Sequence, residues 1–158
     1  MKNGKKTAAA IIGGLLIIAL IATGVHFMFK KEIVTDCTSL TLRLSGMRVT
    51  EEYEVTCDGK TAEISLYCFN YADGTEKRVL VSSATCPAEE FIGVLNQCHL
   101  MKWDGFYGKH PRGVLDGTMF SLTATVNGGV EIHANGSQNF PKNYYVLLDW
   151  LGELTHNP

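Results

Sequence analysis

The sequence predicts an α+β domain behind an N-terminal transmembrane helix. The expected domain is an antiparallel sheet, built from a four-strand meander plus a hairpin, with two helices packed on one face in the order ββββαββα. Three observations predict this fold class. A long apolar run lies near the start of the chain, segments of alternating apolar and polar residues are separated by turn dipeptides, and two prolines each precede an apolar stripe at helical spacing.

The apolar run covers Thr7–Phe29, 23 residues in which His26 is the only ionisable side chain. As a helix it is long enough to cross a hydrocarbon core about 30 Å thick. A cleaved signal peptide is the alternative, but its apolar core would be shorter. Because three lysines precede the run, the positive-inside rule places the N-terminus in the cytoplasm. We therefore expect residues 1–31 to form a cytoplasmic tip and a single-pass membrane anchor, residues 32–36 a linker, and residues 37–158 an extracytoplasmic domain.

Four strands are predicted from apolar residues at every second position, joined by two-residue turns at Gly46-Met47, Asp58-Gly59 and Asp73-Gly74. Such turns determine the register. The predicted pairs are apolar on one face: Leu44 with Val49, Leu40 with Tyr53, Val55 with Ala62, Tyr53 with Ile64, Cys68 with Val79, and Leu66 with Val81. Glu51 is the exception, since this register sends it to the same face, between Leu42 and Leu66.

Two helices and a further hairpin complete the expected domain. The first helix begins at Pro87, ends near Met101 and carries an apolar stripe of Phe91, Val94, Leu95 and Cys98. The hairpin joins Phe120–Val126 to Val130–Ala134 through the loop Asn127-Gly128-Gly129, which places Val126 opposite Val130 and Ala124 opposite Ile132. The second helix begins at Pro141 and carries a stripe of Tyr144, Leu147, Leu148, Leu151 and Leu154.

The segment Trp103–Gly117 joins two similar hairpin-plus-helix units and contains the first group of candidate binding residues. These are Trp103, Asp104, Phe106, Tyr107, His110 and Arg112. Aromatic and polar side chains on a glycine-rich loop are suited to binding a small ligand. The alternative is that Trp103 and Phe106 fill the seam between the two units while Asp104-Gly105 forms a turn.

The joining segment and the second unit also carry a series of short motifs. They are Trp103-Asp104-Gly105-Phe106, Val114-Leu115-Asp116-Gly117, Phe120-Ser121-Leu122, Gly136-Ser137 and Phe140-Pro141-Lys142-Asn143-Tyr144. Over roughly residues 85–155 this series resembles a family of uncharacterised bacterial domains found in lipoproteins and membrane-anchored proteins of Firmicutes. The resemblance implies an exported bacterial setting and no known activity. The chain departs from the lipoprotein members because it has no lipobox.

The second group of candidate residues lies on the outer face of the predicted sheet. The register brings Tyr67, Phe69 and Tyr71 together there, beside Leu80 and Arg78. An exposed aromatic patch is typical of an interface for a protein or a ligand. The alternative is that the patch is covered by the segment Glu32–Thr38, by a loop of the joining segment, or by the membrane surface.

The five cysteines do not indicate a metal site, because no two have a CxxC spacing. The register places Cys37 and Cys57 on opposite faces, so no bridge between them is expected. Cys68 and Cys98 are expected to approach each other as buried apolar residues. A catalytic alternative uses Cys98 or Cys86 as a nucleophile, with His99, His110 or His133 as the base, but no family spacing supports it.

The net charge of the predicted domain argues against nucleic acid as a partner. Beyond Glu32 the chain has nine Lys and Arg against fifteen Asp and Glu, a formal charge of −6, which disfavours nucleic acid. We expect a membrane-anchored extracytoplasmic binding domain at the bacterial cell envelope, with an envelope protein or a small ligand as its partner and no cofactor, metal or catalytic residue. The alternatives are an envelope enzyme with a Cys/His site and a structural subunit of a membrane complex.

Overall fold

A computed structural model of the protein describes residues 33–47, 49–72 and 75–156, and for residues 71 and 72 it describes the backbone alone. The predicted membrane anchor, residues 1–31, lies outside the described residues. Neither helix in the described part of the chain has the length and apolar character that a membrane crossing requires.

The described residues form an α+β fold with one seven-stranded sheet and two helices. The strands are β1 (Cys37–Ser45), β2 (Thr50–Cys57), β3 (Thr61–Ala72), β4 (Thr75–Pro87), β5 (Phe106–Gly108), β6 (Met119–Val126) and β7 (Val130–Ser137). Their order across the sheet is β4-β3-β2-β1-β6-β7-β5. The predicted meander of β1 to β4 is confirmed. Strand β1 pairs with β6, which joins the meander to the β6–β7 hairpin.

The prediction of a purely antiparallel sheet is wrong, because β5 pairs in parallel with β7. Phe106 lies beside Ala134 and Gly108 beside Gly136. Three residues are too few to show a period of two, so nothing in the local pattern marks this segment as a strand. The element order is therefore ββββαβββα.

The predicted registers of the first two hairpins are wrong by two residues. Leu40 pairs with Val55 and Leu42 with Tyr53, while Val55 pairs with Ile64. Each turn is displaced by one residue along the chain, since Gly46 N–H donates to Val49 O at 3.0 Å and Asp58 N–H to Thr61 O at 3.1 Å. A shift of two residues leaves every side chain on its predicted face, so apolar pairing alone does not distinguish the two registers.

The third hairpin has its predicted register near the turn. Ala72 pairs with Thr75 and Cys68 with Val79. Beyond these pairs a β-bulge leaves Val81 without a partner on β3, and Leu66 pairs with Ser82 in place of the predicted Val81. One extra residue on one strand is enough to change all pairs that follow it.

The predicted hairpin of β6 and β7 is confirmed. Val126 pairs with Val130 and Ala124 with Ile132. The three loop residues Asn127, Gly128 and Gly129 have φ values of 49°, 71° and 111°. Such left-handed backbone is what asparagine and glycine adopt most readily, so the loop follows from its residue types.

Helices α1 (Ala88–Gln97) and α2 (Tyr144–His156) pack on the same face of the sheet. The α1 stripe of Phe91, Val94, Leu95 and Cys98 is buried as predicted. The helix ends earlier than the predicted Met101 because His99 has a left-handed φ of 59°, after which Leu100–Trp103 forms a 3₁₀ turn. Helix α2 begins after the predicted Pro141 because Asn143 has a φ of 62°. Trp150 of α2 stacks on Phe91 of α1 at 5.6 Å between ring centroids.

The segment before β1, expected to be a linker, is held tightly by the domain. Val34 is 1% exposed, and the compact unit begins there. Its N–H donates to Asn96 Oδ1 at 2.8 Å, and Asn96 Nδ2 donates to its carbonyl at 2.9 Å. Asp36 Oδ1 accepts from Gly128 N–H at 3.0 Å. The folded unit therefore includes residues 34–36.

Candidate functional site

Trp103 lies inside the core and not on a binding loop. It is 2% exposed, its indole Nε1 donates to the carbonyl of Lys142 at 3.2 Å, and its ring lies 6.0 Å from that of Tyr144. The ring cluster continues through Phe140, 4.7 Å from Tyr144, and Phe120, 4.9 Å from Tyr144. Burial of this kind favours the packing interpretation of Trp103 over the ligand interpretation.

Asp104 and Phe106 attach the joining segment to the sheet. Asp104 Oδ1 accepts from His133 N–H at 3.2 Å, and Gly105 N–H donates to His133 O at 2.9 Å. Gly105 has a φ of 72°, which a turn at Asp104-Gly105 requires. The half-buried Phe106 contributes its ring to the aromatic cluster, 6.2 Å from Phe120. Both residues therefore have structural contacts.

Tyr107, His110 and Arg112 are the exposed members of the joining segment. The Tyr107 side chain is 69% exposed on the helix-free face of the sheet. Both ring nitrogens of His110 are engaged, Nδ1 with Ser137 Oγ and Nε2 with the Val114 carbonyl, each at 2.8 Å. Because an imidazole has only two nitrogens, this contact leaves none for a ligand or a metal ion.

The aromatic rings on the outer face are half-buried under arginine side chains. The Arg78 guanidinium lies 3.4 Å from the centroid of Tyr67, and the Arg43 guanidinium lies 4.2 Å from that of Phe69. Both arginines contact Glu52, Arg78 at 2.8 Å and Arg43 at 3.9 Å.

Further carboxylates hold these two arginines. Glu54 lies 2.5 Å from Arg78, and Glu76 lies 2.8 Å from Arg43. The hydrogen bonds with Glu54 and Glu52, net of the opposing effect of burial, raise the pKa of Arg78. We call this cluster of Arg43, Glu52, Glu54, Tyr67, Phe69, Glu76 and Arg78 the arginine–aromatic platform. The patch is therefore not bare, because arginine side chains lie over two of its rings. The backbone of Tyr71 lies in β3 opposite Glu76, and its side chain is outside the described residues.

The edge strand β4 carries Glu76 and Arg78 of the platform. This strand was not identified from the sequence as a candidate site. Among the described strands it has a neighbour on one side alone. Val79, Leu80 and Val81 are 44%, 53% and 55% exposed. Leu80 pairs with Tyr67, so it extends the platform to the edge of the sheet. One signal for this edge is present in the sequence, because the segment 79–85 has no charged residue.

Glu51 lies on the helix-covered face, as predicted, but between Leu44 and Cys68 because of the register shift. It lines an open groove of about 530 Å³ together with Leu44, Met47, Val49 and Leu148. The turn between β1 and β2 contributes Met47 and Val49. The flexible side chain of Met47 is 78% exposed and lies at the rim of this open groove.

The cysteines are all free thiols, and burial raises the pKa of each one. Cys98 is completely buried, donates to Leu95 O at 3.2 Å and has a pKa of about 12. Cys86, just before α1, is buried as well, and its pKa is raised rather than lowered. A thiol that holds its proton at neutral pH is a poor nucleophile, which weighs against the Cys/His enzyme.

The prediction that Cys37 and Cys57 lie on opposite faces is wrong. A β-bulge between Cys37 and Ser39 turns Cys37 to the helix-covered face, where it pairs with the buried Val126. Cys57 pairs with the buried Ala62 on the same face. The two side chains therefore lie on one face, at neighbouring positions of β1 and β2.

Comparison of the chain with protein-family models, with curated proteins and with solved structures found no match.

Proposed function

We propose that this protein is a membrane-anchored extracytoplasmic binding domain whose partner, another protein of the cell envelope, adds a short extended segment to the edge strand β4. The observation that carries the proposal is the exposed, uncharged segment 79–85 on that edge. The envelope setting follows from the apolar run Thr7–Phe29 and from the family resemblance.

An edge strand presents a row of backbone donors and acceptors that a second strand can satisfy. Proteins usually protect such an edge with charges, with proline, with a bulge or by keeping it short. In β4 the charges are confined to Glu76-Lys77-Arg78 and the proline to Pro87, at its two ends, and the bulge at Val81 interrupts the edge between them. Between them lie three consecutive exposed hydrophobic residues, which favours strand addition as the mode of binding.

The arginine–aromatic platform supplies a surface for the side chains of the bound segment. Every second side chain of an added strand would lie on the helix-free face, next to Leu80 and close to the Tyr67 ring that pairs with it. Arg78 is already held by Glu52 and Glu54, so little side-chain order is lost when a partner covers it. An apolar side chain at that position of the partner fits this surface best.

The bulge at Val81 favours a short segment of another protein over a second copy of this chain. It divides the regular edge into two stretches, because Leu66 pairs with Ser82 whereas Tyr67 pairs with Leu80. A bulge increases the local twist and disturbs regular pairing. Two copies of this 13-residue strand would both have to accommodate the bulge, whereas a segment of three or four residues can pair on one side of it.

Photo-cross-linking in intact cells tests the proposal. A photoreactive amino acid replaces the exposed Ser83 on β4, and the adduct is identified by mass spectrometry. We expect one discrete protein adduct, with the link falling in an extended apolar segment of the partner. Leu80→Lys should abolish the adduct, while Val130→Lys should preserve it, because Val130 is 43% exposed but lies at the far hairpin.

Three results would contradict strand addition at β4. One is an adduct consisting of two copies of this chain, and another is an adduct that persists in the Leu80→Lys variant. The third is the same adduct obtained when the photoreactive residue replaces Val130. Circular dichroism of both lysine variants checks that they are folded. We expect them to be, because substitutions at exposed positions usually change the free energy of unfolding by only about 0.5 kcal/mol.

A further inference from the structure

The thiols of Cys37 and Cys57 form a close pair on the helix-covered face of the sheet. Ser39 of β1 pairs with Thr56 of β2, so Cys57 lies opposite the bulge that precedes Ser39. Cys37 is one position away from the residue directly opposite Cys57. Such neighbouring residues on paired strands have Cβ atoms about 5–7 Å apart, so a disulfide, which needs about 4 Å, requires an adjustment of the backbone at the bulge. Both residues belong to or pack against the same core cluster.

We propose that Cys37 and Cys57 form a disulfide when a small disulfide oxidant reaches them, so that the pair is a redox modification site. In the first step the Cys57 thiol loses its proton and the thiolate attacks one sulfur of the oxidant. A mixed disulfide forms, and one oxidant thiolate leaves and takes up a proton. In the second step the Cys37 thiol loses its proton and the thiolate attacks the Cys57 sulfur, while the second oxidant thiolate leaves and takes up a proton. The protein loses two electrons and two protons, and one oxidant disulfide becomes two thiols.

The surroundings identify Cys57 as the residue that reacts first. It is half-buried, so its thiol is partly accessible to solvent. Cys37 is 6% exposed, so it is the less accessible of the two. Burial raises the pKa of the Cys57 thiol, and the neighbouring Cys37 side chain acts against this rise.

The bond would secure the first strand of the domain. Cys37 directly follows residues 34–36, where Asn96 and Asn127 hold the chain through hydrogen bonds to Val34 and Thr35. A disulfide from Cys37 to β2 would close the β1–β2 hairpin covalently at its open end. Closing a loop of about 20 residues raises the midpoint of thermal unfolding by roughly 10 °C in a domain of this size.

Peptide mapping of the full chain tests the pair directly. The protein is incubated with oxidised glutathione at pH 8.5, quenched in acid, alkylated while unfolded and digested with trypsin without reduction. Cys37 and Cys57 then lie in separate peptides, residues 32–43 and 49–60. We expect these two peptides to be linked, Cys68, Cys86 and Cys98 to be alkylated, and the unfolding midpoint to fall by roughly 10 °C on reduction.

Two serine variants resolve the order of the steps. Cys37→Ser should stop the reaction at the glutathione adduct of Cys57, and Cys57→Ser should leave Cys37 alkylated. Cys68→Ser is the control and should keep the linked peptides. The proposal is overturned if all five cysteines of the wild-type chain remain alkylated, if a mixed disulfide persists on Cys57, or if Cys57 links to Cys86, which lies two strands away across Ala62. These results concern the wild-type chain and hold even if a variant fails to fold.

Discussion

Replacing Gly136 by alanine is expected to lower the free energy of unfolding by about 2 kcal/mol. A Cβ at this position would overlap the carbonyl oxygen of Asn139 and would lie 2.8 Å from Phe120 Cε1 and 3.2 Å from Gly108 Cα. The backbone of Asn139 crosses the β5–β7 pair here, and an added Cβ at Gly108 would meet the same carbonyl. Glycine is therefore required at both positions by the close approach of another backbone segment.

The magnitude follows from two opposing effects. Forcing a methyl group into a packed region costs about 3 kcal/mol, at the upper end of the usual range, because two of the three neighbours are backbone. The neighbouring residue Gln138 donates its N–H to Thr118 O at 3.0 Å, which restricts the movement that would relieve the overlap. Gly136 does not have a positive φ, so alanine stiffens the unfolded chain and returns about 0.7 kcal/mol.

Urea denaturation followed by tryptophan fluorescence measures this change, since Trp103 and Trp150 are both packed in the core region. The control is Gly93→Ala in helix α1. An added Cβ at Gly93 meets nothing within 4 Å, so helix propensity should stabilise that variant by about 0.5–1 kcal/mol. If Gly136→Ala unfolds within about 0.5 kcal/mol of the wild type, the close backbone crossing at Asn139 is refuted.

Three further predictions concern buried groups. The Tyr144 hydroxyl is buried with no hydrogen-bond partner among the described residues, so Tyr144→Phe should stabilise the protein by about 1 kcal/mol in urea denaturation, whereas the same change at Tyr145, which is 56% exposed, should be neutral. Asn96→Ala removes both hydrogen bonds to Val34 and should cost about 2 kcal/mol, with hydrogen exchange at the Val34 amide accelerated; unchanged exchange would refute the contact. The pKa of Cys98 is about 12 in the folded protein and near 9 when unfolded. Its contribution to the free energy of unfolding is therefore fully present below pH 9 and should be lost between pH 9 and 12, at about 1.4 kcal/mol per pH unit. Cys98→Val should reduce this dependence of the free energy of unfolding on pH, measured by urea denaturation across the same range, and an unchanged dependence would contradict the prediction.

Much of the fold was predictable because local patterns determine which face a side chain occupies. The alternation along β6 and β7 and the residue types of the Asn127-Gly128-Gly129 loop predict the correct register, since a three-residue loop with left-handed positions suits asparagine and glycine. The apolar stripes of both helices also predict their buried faces, because an isolated apolar stripe has no other stable arrangement in water.

The candidate binding site was predicted less well. Trp103 and Tyr107 are close in the sequence and both aromatic, yet one is 2% exposed and the other 69%. Their different environments depend on the parallel pairing of β5 with β7, which involves residues far apart in the chain. The cover over Tyr67 likewise comes from Arg78 on a neighbouring strand, and a sequence pattern does not report which long side chain will lie over a ring.

The sequence by itself determined the α+β fold class, the meander, the β6–β7 hairpin and the face on which each regular strand residue lies. The tertiary structure alone decided the two-residue shift of the first hairpins, the bulges before Ser39 and at Val81, and the parallel strand β5. The physical reason is the period of two in a strand. A shift by two residues preserves every face and is invisible to an alternating pattern, whereas a bulge reverses the faces by inserting one residue. One such bulge brings the Cys37 and Cys57 thiols together on one face, contrary to the alternation of the sequence.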